Sequence, residues 1–280
     1  MSTGKAGEET EAGGDADTPR WFVSSLERGL KVIRCFGADA PLLRVAQVAQ
    51  RTGMSRAAAR RFLMTLEALG YVGCDSEQRY YLKASALSLG YSYLSSLRLG
   101  ELAQPVLQSV MERSGQSCSL VVLDDLDIVY LARAIAYRPL HMFISPGDRL
   151  PAYAASMGRV LLAGLPPEAL EAYFARATFK AFTVHTLTDP QRLRAVLDEV
   201  RRQGFAMVEH EIALGIVSVA VPVAGRDGTP IAAINVNSQA GSATAEEMMR
   251  DHLPLLRSAA AEIGTAVSAV DGTQGRWRSW

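Results

Sequence analysis

Residues 53–72 read Gly53-Met54-Ser55-Arg56-Ala57-Ala58-Ala59-Arg60-Arg61-Phe62-Leu63-Met64-Thr65-Leu66-Glu67-Ala68-Leu69-Gly70-Tyr71-Val72. Gly53 suits the left-handed end of one helix, Met54 spans a turn, and Ser55 can cap the next helix. Phe62, Leu63, Leu66 and Leu69 recur at helical spacing, which turns them inward. Arg56 and Arg60 are one turn apart and share the opposite face, with Arg61 beside them. After Gly70 the period changes. Tyr71–Cys74, the polar Asp75-Ser76-Glu77-Gln78 and Arg79–Leu82 predict a strand, a turn and a strand.

Upstream, Val45, Val48 and Ala49 line one side of a helix over Arg44–Thr52. An earlier helix starts at a Ser24/Glu27 capping box. Leu26, Leu30, Ile33 and Cys35–Phe36 form its core stripe, Gly37 ends it and Pro41 starts a turn. Ala49 is small enough for the following helix to cross closely, and Ala59 and Phe62 must be buried beneath it. Two helices, a tight turn and a β-hairpin make a winged helix-turn-helix. Its second helix can lie in a DNA major groove, about 12 Å wide, with its N-terminal residues at base edges. Ser55, Arg56, Ala57, Arg60 and Arg61 are therefore candidate DNA contacts. One arginine is suited to a guanine, and the other, with Arg61, to phosphates. Arg44 at the start of the preceding helix and Arg79 in the hairpin complete the set. A plainer reading makes these arginines a solvated face; the turn chemistry, the hairpin and the local charge outweigh it.

That charge is hidden in the total. The 280 residues carry 29 Lys/Arg and 29 Asp/Glu, with 49% hydrophobic residues. Residues 20–83 hold eleven Lys/Arg against five Asp/Glu, a net +6, whereas residues 1–19 are net −4 and the remainder −2. A basic segment in a neutral chain is the footprint of a nucleic-acid module. Cys35, Cys74 and Cys118 are scattered, odd in number and form no C-x-x-C pair, which argues against a disulfide framework or zinc site and fits a reducing cytoplasm. No apolar run reaches the length of a membrane span. The acidic, Ala/Gly-rich N-terminus reads as a disordered tail over 1–20 rather than a signal peptide.

The organisation expected beyond residues 21–83 is a connecting helix over 84–99, a larger domain over 100–271 and a frayed end over 272–280. In the connecting helix, Leu87, Gly90, Tyr91, Leu94 and Leu97 recur at helical spacing. With Tyr93 they either pack on their own domains or form a dimer contact. In the larger domain, Cys118–Leu123, Ile128–Ala134, Leu140–Ser145, Phe205–Glu209, Ser218–Val223 and Ile231–Asn237 are expected strands. Helices are expected at 155–163, 167–175, 189–203 and 244–270. Short turns such as Gly225-Arg226-Asp227-Gly228 imply a mainly antiparallel sheet flanked by helices, so the class is α+β.

Three stretches carry a family resemblance: Ser24-Ser25-Leu26-Glu27-Arg28-Gly29-Leu30, Ser55–Leu63 followed by Leu69-Gly70-Tyr71-Val72, and Leu150-Pro151-Ala152-Tyr153-Ala154-Ala155-Ser156-Met157-Gly158-Arg159-Val160-Leu161-Leu162-Ala163. They resemble the IclR family of bacterial regulators over about residues 22–270, and the wording is nearest its Pca/Pob branch. The resemblance implies a GAF-like C-terminal effector domain and a dimer, or dimer of dimers, on a palindromic operator. It also implies a small organic acid as effector: protocatechuate, 4-hydroxybenzoate or β-ketoadipate. An activator would add RNA polymerase as a partner. No cofactor or metal is implied.

The effector site expected from this has a physical basis. Gly147 and Pro151 break the chain before a helix. Ser156, Met157 and Gly158 fall in its first turn, where unpaired N–H groups and the helix dipole favour a carboxylate. By similarity the facing wall comes from Gly215–Ser218 and Asn235–Asn237, which nominates Ser218, Asn235 and Asn237. Arg133 and His141 offer positive charge, and Glu211 and His210 lie near the pocket loop. Two other readings stay open. One is a fused enzyme, for which no G-x-S-x-G, H-E-x-x-H, P-loop or G-x-G-x-x-G is present and the four histidines lack metal-ligand spacing. The other makes the C-terminal domain a dimerisation module, or a thiol sensor through Cys118.

Overall fold

The computed structural model describes residues 19–37, 39–89, 99–136, 144–239 and 244–274. The chain divides into two compact units, Met1–Tyr93 and Leu94–Trp280. Most of the expected connecting helix, with Tyr91, Tyr93 and Leu97, lies outside the described residues; a 3-10 turn over Ala84–Leu87 is the part that is seen.

The first unit holds α1 (Ser24–Arg34), α2 (Val45–Thr52), α3 (Arg56–Ala68) and a hairpin of β1 (Val72–Cys74) with β2 (Tyr80–Leu82). Gly53 closes α2 at φ +71°, and the Ser55 hydroxyl accepts the Ala58 N–H at 3.2 Å to open α3. Val32, Leu43, Val48, Ala59, Leu63 and Val72 are fully or almost fully buried at the junction of these elements. Each buried Val or Leu contributes about 1.5–3 kcal/mol, so the helix-turn-helix is held by its own small core.

Three details differ from the sequence-based expectation. Ser24 already lies inside α1, so its hydroxyl cannot cap it; Val23 takes the cap position and Glu27 pairs with Lys31 at 2.6 Å. Leu26 and Leu30 are 62% and 47% exposed, whereas Val32 and Phe36, one turn apart, carry the burial. Leu69 is 63% exposed because α3 has ended at Ala68 and the chain is turning toward Gly70.

The second unit is a six-stranded sheet with helices on both faces. After α4 (Leu99–Ser114) come β3 (Ser117–Asp124), β4 (Asp127–Ala134), β5 (Arg149–Pro151), α5 (Ser156–Ala163), α6 (Pro167–Arg176) and α7 (Pro190–Gln203). Then follow β6 (Ala206–Glu209), β7 (Ile216–Ala224), β8 (Pro230–Gln239) and α8 (Leu253–Gln274). The strand order is β5-β4-β3-β8-β7-β6, and every neighbouring pair is antiparallel.

Strand alternation divides the sheet chemically. On β7, Val217, Val219, Val221 and Val223 face the core shared with α4 and α8, as do Ile234 and Val236 of β8. The intervening residues turn toward the α5–α7 layer, where Ala220 and Ala233 pack. Ser218, Asn235 and Asn237 alternate onto this same side. One face is thus broad and aliphatic, the other small and polar, and the second leaves room beneath α5.

Strand and helix expectations also need correction here. Leu140–Met142 and Phe143 lie outside the described residues, Ile144 and Ser145 are not in a strand, and the edge strand is β5 instead. Helix α4, which the sequence did not predict, carries Pro105 inside it. Gly272–Gln274 continue α8 rather than fray. A reciprocal Thr244/Glu247 cap and a π-helical turn at Met248–His252 lead into α8. Among the described residues no helix is long and apolar enough to cross a membrane.

Candidate functional site

On the first unit, Ser55, Arg56, Ala57, Arg60 and Arg61 are all exposed at the start and along the outer side of α3. Among the described residues none of these three arginines makes an ion pair, so their charge is available to a polyanion. Arg44 and Arg79 are engaged differently. Arg44 donates to the Glu77 carbonyl at 2.8 Å. Arg79 donates to Asp75 at 2.7 Å and lies 3.2 Å from Glu77. The Arg79 backbone N–H is the main cause that holds the Asp75 carboxyl below the usual carboxylate range. These two arginines shape the wing turn first, and α3 carries the unpaired charge.

On the second unit, a cavity of about 50 Å³ opens beneath the N-terminus of α5. Tyr130, Ile144, Leu150, Met157, Val208, Ile212 and Ile216 give it apolar walls; Ser156, Ser218, Asn235 and Asn237 give it one polar side. The polar side is a connected network. Ser156 Oγ and Ser218 Oγ are 2.7 Å apart, and Asn235 Nδ2 donates to Ser218 Oγ at 2.9 Å and to Asn237 Oδ1 at 2.6 Å. Among the described residues, Asn235 Oδ1 is buried and has no hydrogen-bond partner. A buried acceptor left alone costs about 1–3 kcal/mol, so this atom marks where a donor belongs. The cap residue of α5 is Ala155, which has no side chain to satisfy the first-turn N–H groups.

Of the nominated effector residues, Ser156, Met157, Ser218, Asn235 and Asn237 line the cavity. Gly158 does not; a Cβ there would sit 2.1 Å from the Ala152 carbonyl oxygen, so the glycine serves close packing of α5 on the preceding turn. Glu211 is likewise absent from the lining and pairs with buried Arg159 at 2.7 Å. Arg133 stands behind the wall, donating to Ser119 Oγ at 3.1 Å and to the Ile144 carbonyl, 5.7 Å over the Tyr130 ring. Burial is the main cause that lowers its pKa. His141 lies outside the described residues, and His210 Nδ1 accepts the Gly215 N–H at 2.9 Å.

Sequence reasoning missed most of the apolar lining, above all Tyr130, whose hydroxyl burial pushes up to about 12. Its signal was an aromatic residue two positions from Ile128 on the same strand face. Arg159 was also legible, as a lone charge immediately before the apolar run Val160–Ala163. Cys118 is fully buried and burial pushes its thiol up to about 12, which disfavours the thiolate a redox sensor needs. Ser156 shares its hydrogen bond with Ser218, not with a histidine.

A winged helix-turn-helix with unpaired arginines, joined in one chain to a unit with a polar-sided cavity, defines a DNA-binding transcription regulator with a small-molecule site. The IclR helix-turn-helix domain matches residues 25–76, and the bacterial transcriptional regulator IclR C-terminal domain matches residues 91–265. The chain belongs to the IclR family. It is 40% identical over 251 residues to the Pca regulon regulatory protein of Pseudomonas putida, covering 89% of this chain and 84% of that protein. It is 37% identical, covering 88% and 92%, to the p-hydroxybenzoate hydroxylase transcriptional activator of Acinetobacter baylyi. A solved inducer-binding domain of an Acinetobacter PobR double mutant, in complex with 3-hydroxybenzoic acid, matches with 34% identity and a TM-score of 0.54, covering 59% of this chain and 97% of that one.

Proposed function

We infer that this regulator responds to an aromatic carboxylic acid that bears a hydroxyl group, bound in the cavity beneath α5. The observation that carries this is Asn235 Oδ1, a buried acceptor with no partner among the described residues. The Asn235 amide N–H groups already donate to Ser218 and Asn237, and Ser156 bonds to Ser218, so the group this oxygen lacks is a hydrogen-bond donor. A phenolic hydroxyl supplies one. β-Ketoadipate brings only acceptors when ionised and leaves the atom unmatched. The uncapped first turn of α5 suits the carboxylate, and Tyr130, Met157 and Ile212 suit the ring. The likeness to regulators named for Pca and p-hydroxybenzoate genes supports the same class.

The rest of the function follows from this reading. The protein acts in the cytoplasm as a regulator and not as an enzyme. Its working division is residues 21–83 for DNA, 84–99 as connector and 100–271 for the effector. It binds a palindromic operator as a dimer or dimer of dimers, and the exposed Trp21, Leu26 and Leu30 offer an apolar face for a second copy. As an activator it would also meet RNA polymerase.

Thermal-shift measurements with 4-hydroxybenzoate, protocatechuate, benzoate and β-ketoadipate test the ligand. A ligand at a hundred times its Kd stabilises by about 2.7 kcal/mol. The hydroxylated acids should raise Tm most and should alter operator binding in a gel shift. A Tm that none of the four acids moves removes the reading and leaves the C-terminal unit as a dimerisation module.

A further inference from the structure

One wall of the cavity beneath α5 is the connector between β6 and β7. It carries positive φ at both ends, His210 at +60° and Gly215 at +83°, and it contributes Ile212 to the cavity, with Ile216 following at the start of β7.

One buried charge pair ties that connector down. Arg159 and Glu211 have side chains 4% and 10% exposed. Arg159 lies on α5, three residues after Ser156, and donates to the Tyr153 carbonyl at 2.8 Å as well as to Glu211 at 2.7 Å. The same Glu211 oxygen accepts the Leu187 N–H at 2.7 Å, and the Glu211 carbonyl accepts from Thr186 at 2.6 Å. Thr183 donates to the His210 carbonyl at 2.6 Å. Three segments meet at this pair: the helix that presents Ser156, the connector that presents Ile212, and the 183–187 loop.

Stability alone is a poor reason to keep such a pair. Removing two charges from water is costly, and well-packed apolar replacements are often neutral or stabilising. What the pair supplies is direction, since its hydrogen bonds fix how the connector sits against α5. We propose that Arg159 and Glu211 are positioning residues for effector binding, which latch the 210–215 connector against α5 and so set the shape of the cavity. The ligand part of this rests on the hydroxy-aromatic acid reading above; the latch itself does not.

The test uses the full-length double variant Arg159→Met/Glu211→Leu, with Glu211→Gln as a single change that keeps shape and removes charge. Calorimetric titration with 4-hydroxybenzoate should give a Kd about tenfold weaker in the double variant, the scale at which supporting residues act on a site, while its Tm stays at or above wild type. Native-state hydrogen exchange should be faster at the Gly215 and Ile216 amides in both variants, with the α4 and α8 amides unchanged. A wild-type Kd in a stably folded double variant would overturn the positioning role. If the wild-type protein does not bind 4-hydroxybenzoate, the ligand reading has failed, and exchange decides alone: wild-type protection at Gly215 and Ile216 in the Glu211→Gln protein then sinks the latch.

Discussion

Replacing Asn235 with leucine removes the unpartnered Oδ1 and both donations to Ser218 and Asn237. The informative quantity is the difference between two ligands, 4-hydroxybenzoate and benzoate. In the wild-type protein benzoate leaves Asn235 Oδ1 unmatched, which costs about 1–3 kcal/mol. At 1.4 kcal/mol for each factor of ten, benzoate should bind roughly 5- to 150-fold more weakly than 4-hydroxybenzoate. In Asn235→Leu the hydroxyl meets a methyl group, and the two acids should bind within about threefold of each other. Isothermal titration on both proteins closes a four-point cycle that cancels general effects of the substitution on the fold. Equal affinities in the wild-type protein, or discrimination that survives in Asn235→Leu, would refute the role given to this oxygen.

Arg60→Ala, with its partners on α3 intact, should weaken operator binding while leaving thermal unfolding unchanged. If Arg60 meets a phosphate, the slope of affinity against salt should fall by about one charge. An unaltered gel-shift affinity would take Arg60 out of the interface. Leu63→Ala should destabilise the first unit by about 2–5 kcal/mol, whereas Leu69→Ala should stay within about 0.5 kcal/mol; a denaturant titration that ranks them the other way contradicts the core described for α3. Cys118 is fully buried, and burial pushes its thiol up to about 12, so it should stay protonated at pH 8. A thiol reagent should leave it unmodified in the folded protein, and rapid labelling detected by mass spectrometry would reopen the sensor reading.

The legible parts of this protein were those written as local patterns. The Gly53–Ser55 turn, the hairpin around Asp75 and the period-two valines of β7 each encode their own geometry. Ser218, Asn235 and Asn237 were legible for the same reason, as polar residues at alternating positions amid aliphatic ones. The misreadings came from facts that only packing decides. An apolar arc on α1 does not say which part of it is covered, so Leu26 was placed inside where Val32 belongs. Gly158 looked like a ligand contact because the demand on it comes from the Ala152 carbonyl, which the helix start brings against it. Ile144, Ile212 and Ile216 carry no mark that separates a cavity lining from an ordinary core. Arg159 and Glu211 are 52 residues apart, and nothing in either neighbourhood announces the other.

The division of the central sheet into an aliphatic face and a polar one has a consequence for how this protein can change. Substitutions at Ser218, Asn235 or Asn237 alter what the cavity welcomes, while the valines one position away go on supporting α4 and α8. Ligand preference and folding are thus written on alternate letters of the same strands, so selectivity can drift without unmaking the scaffold. The tolerance holds only for exchange. A single residue inserted or deleted within β7 or β8 would invert the alternation, sending valines into the cavity and asparagines into the core. Diversity among descendants of this chain should therefore accumulate as replacements along these strands, with changes in length confined to the turns that join them.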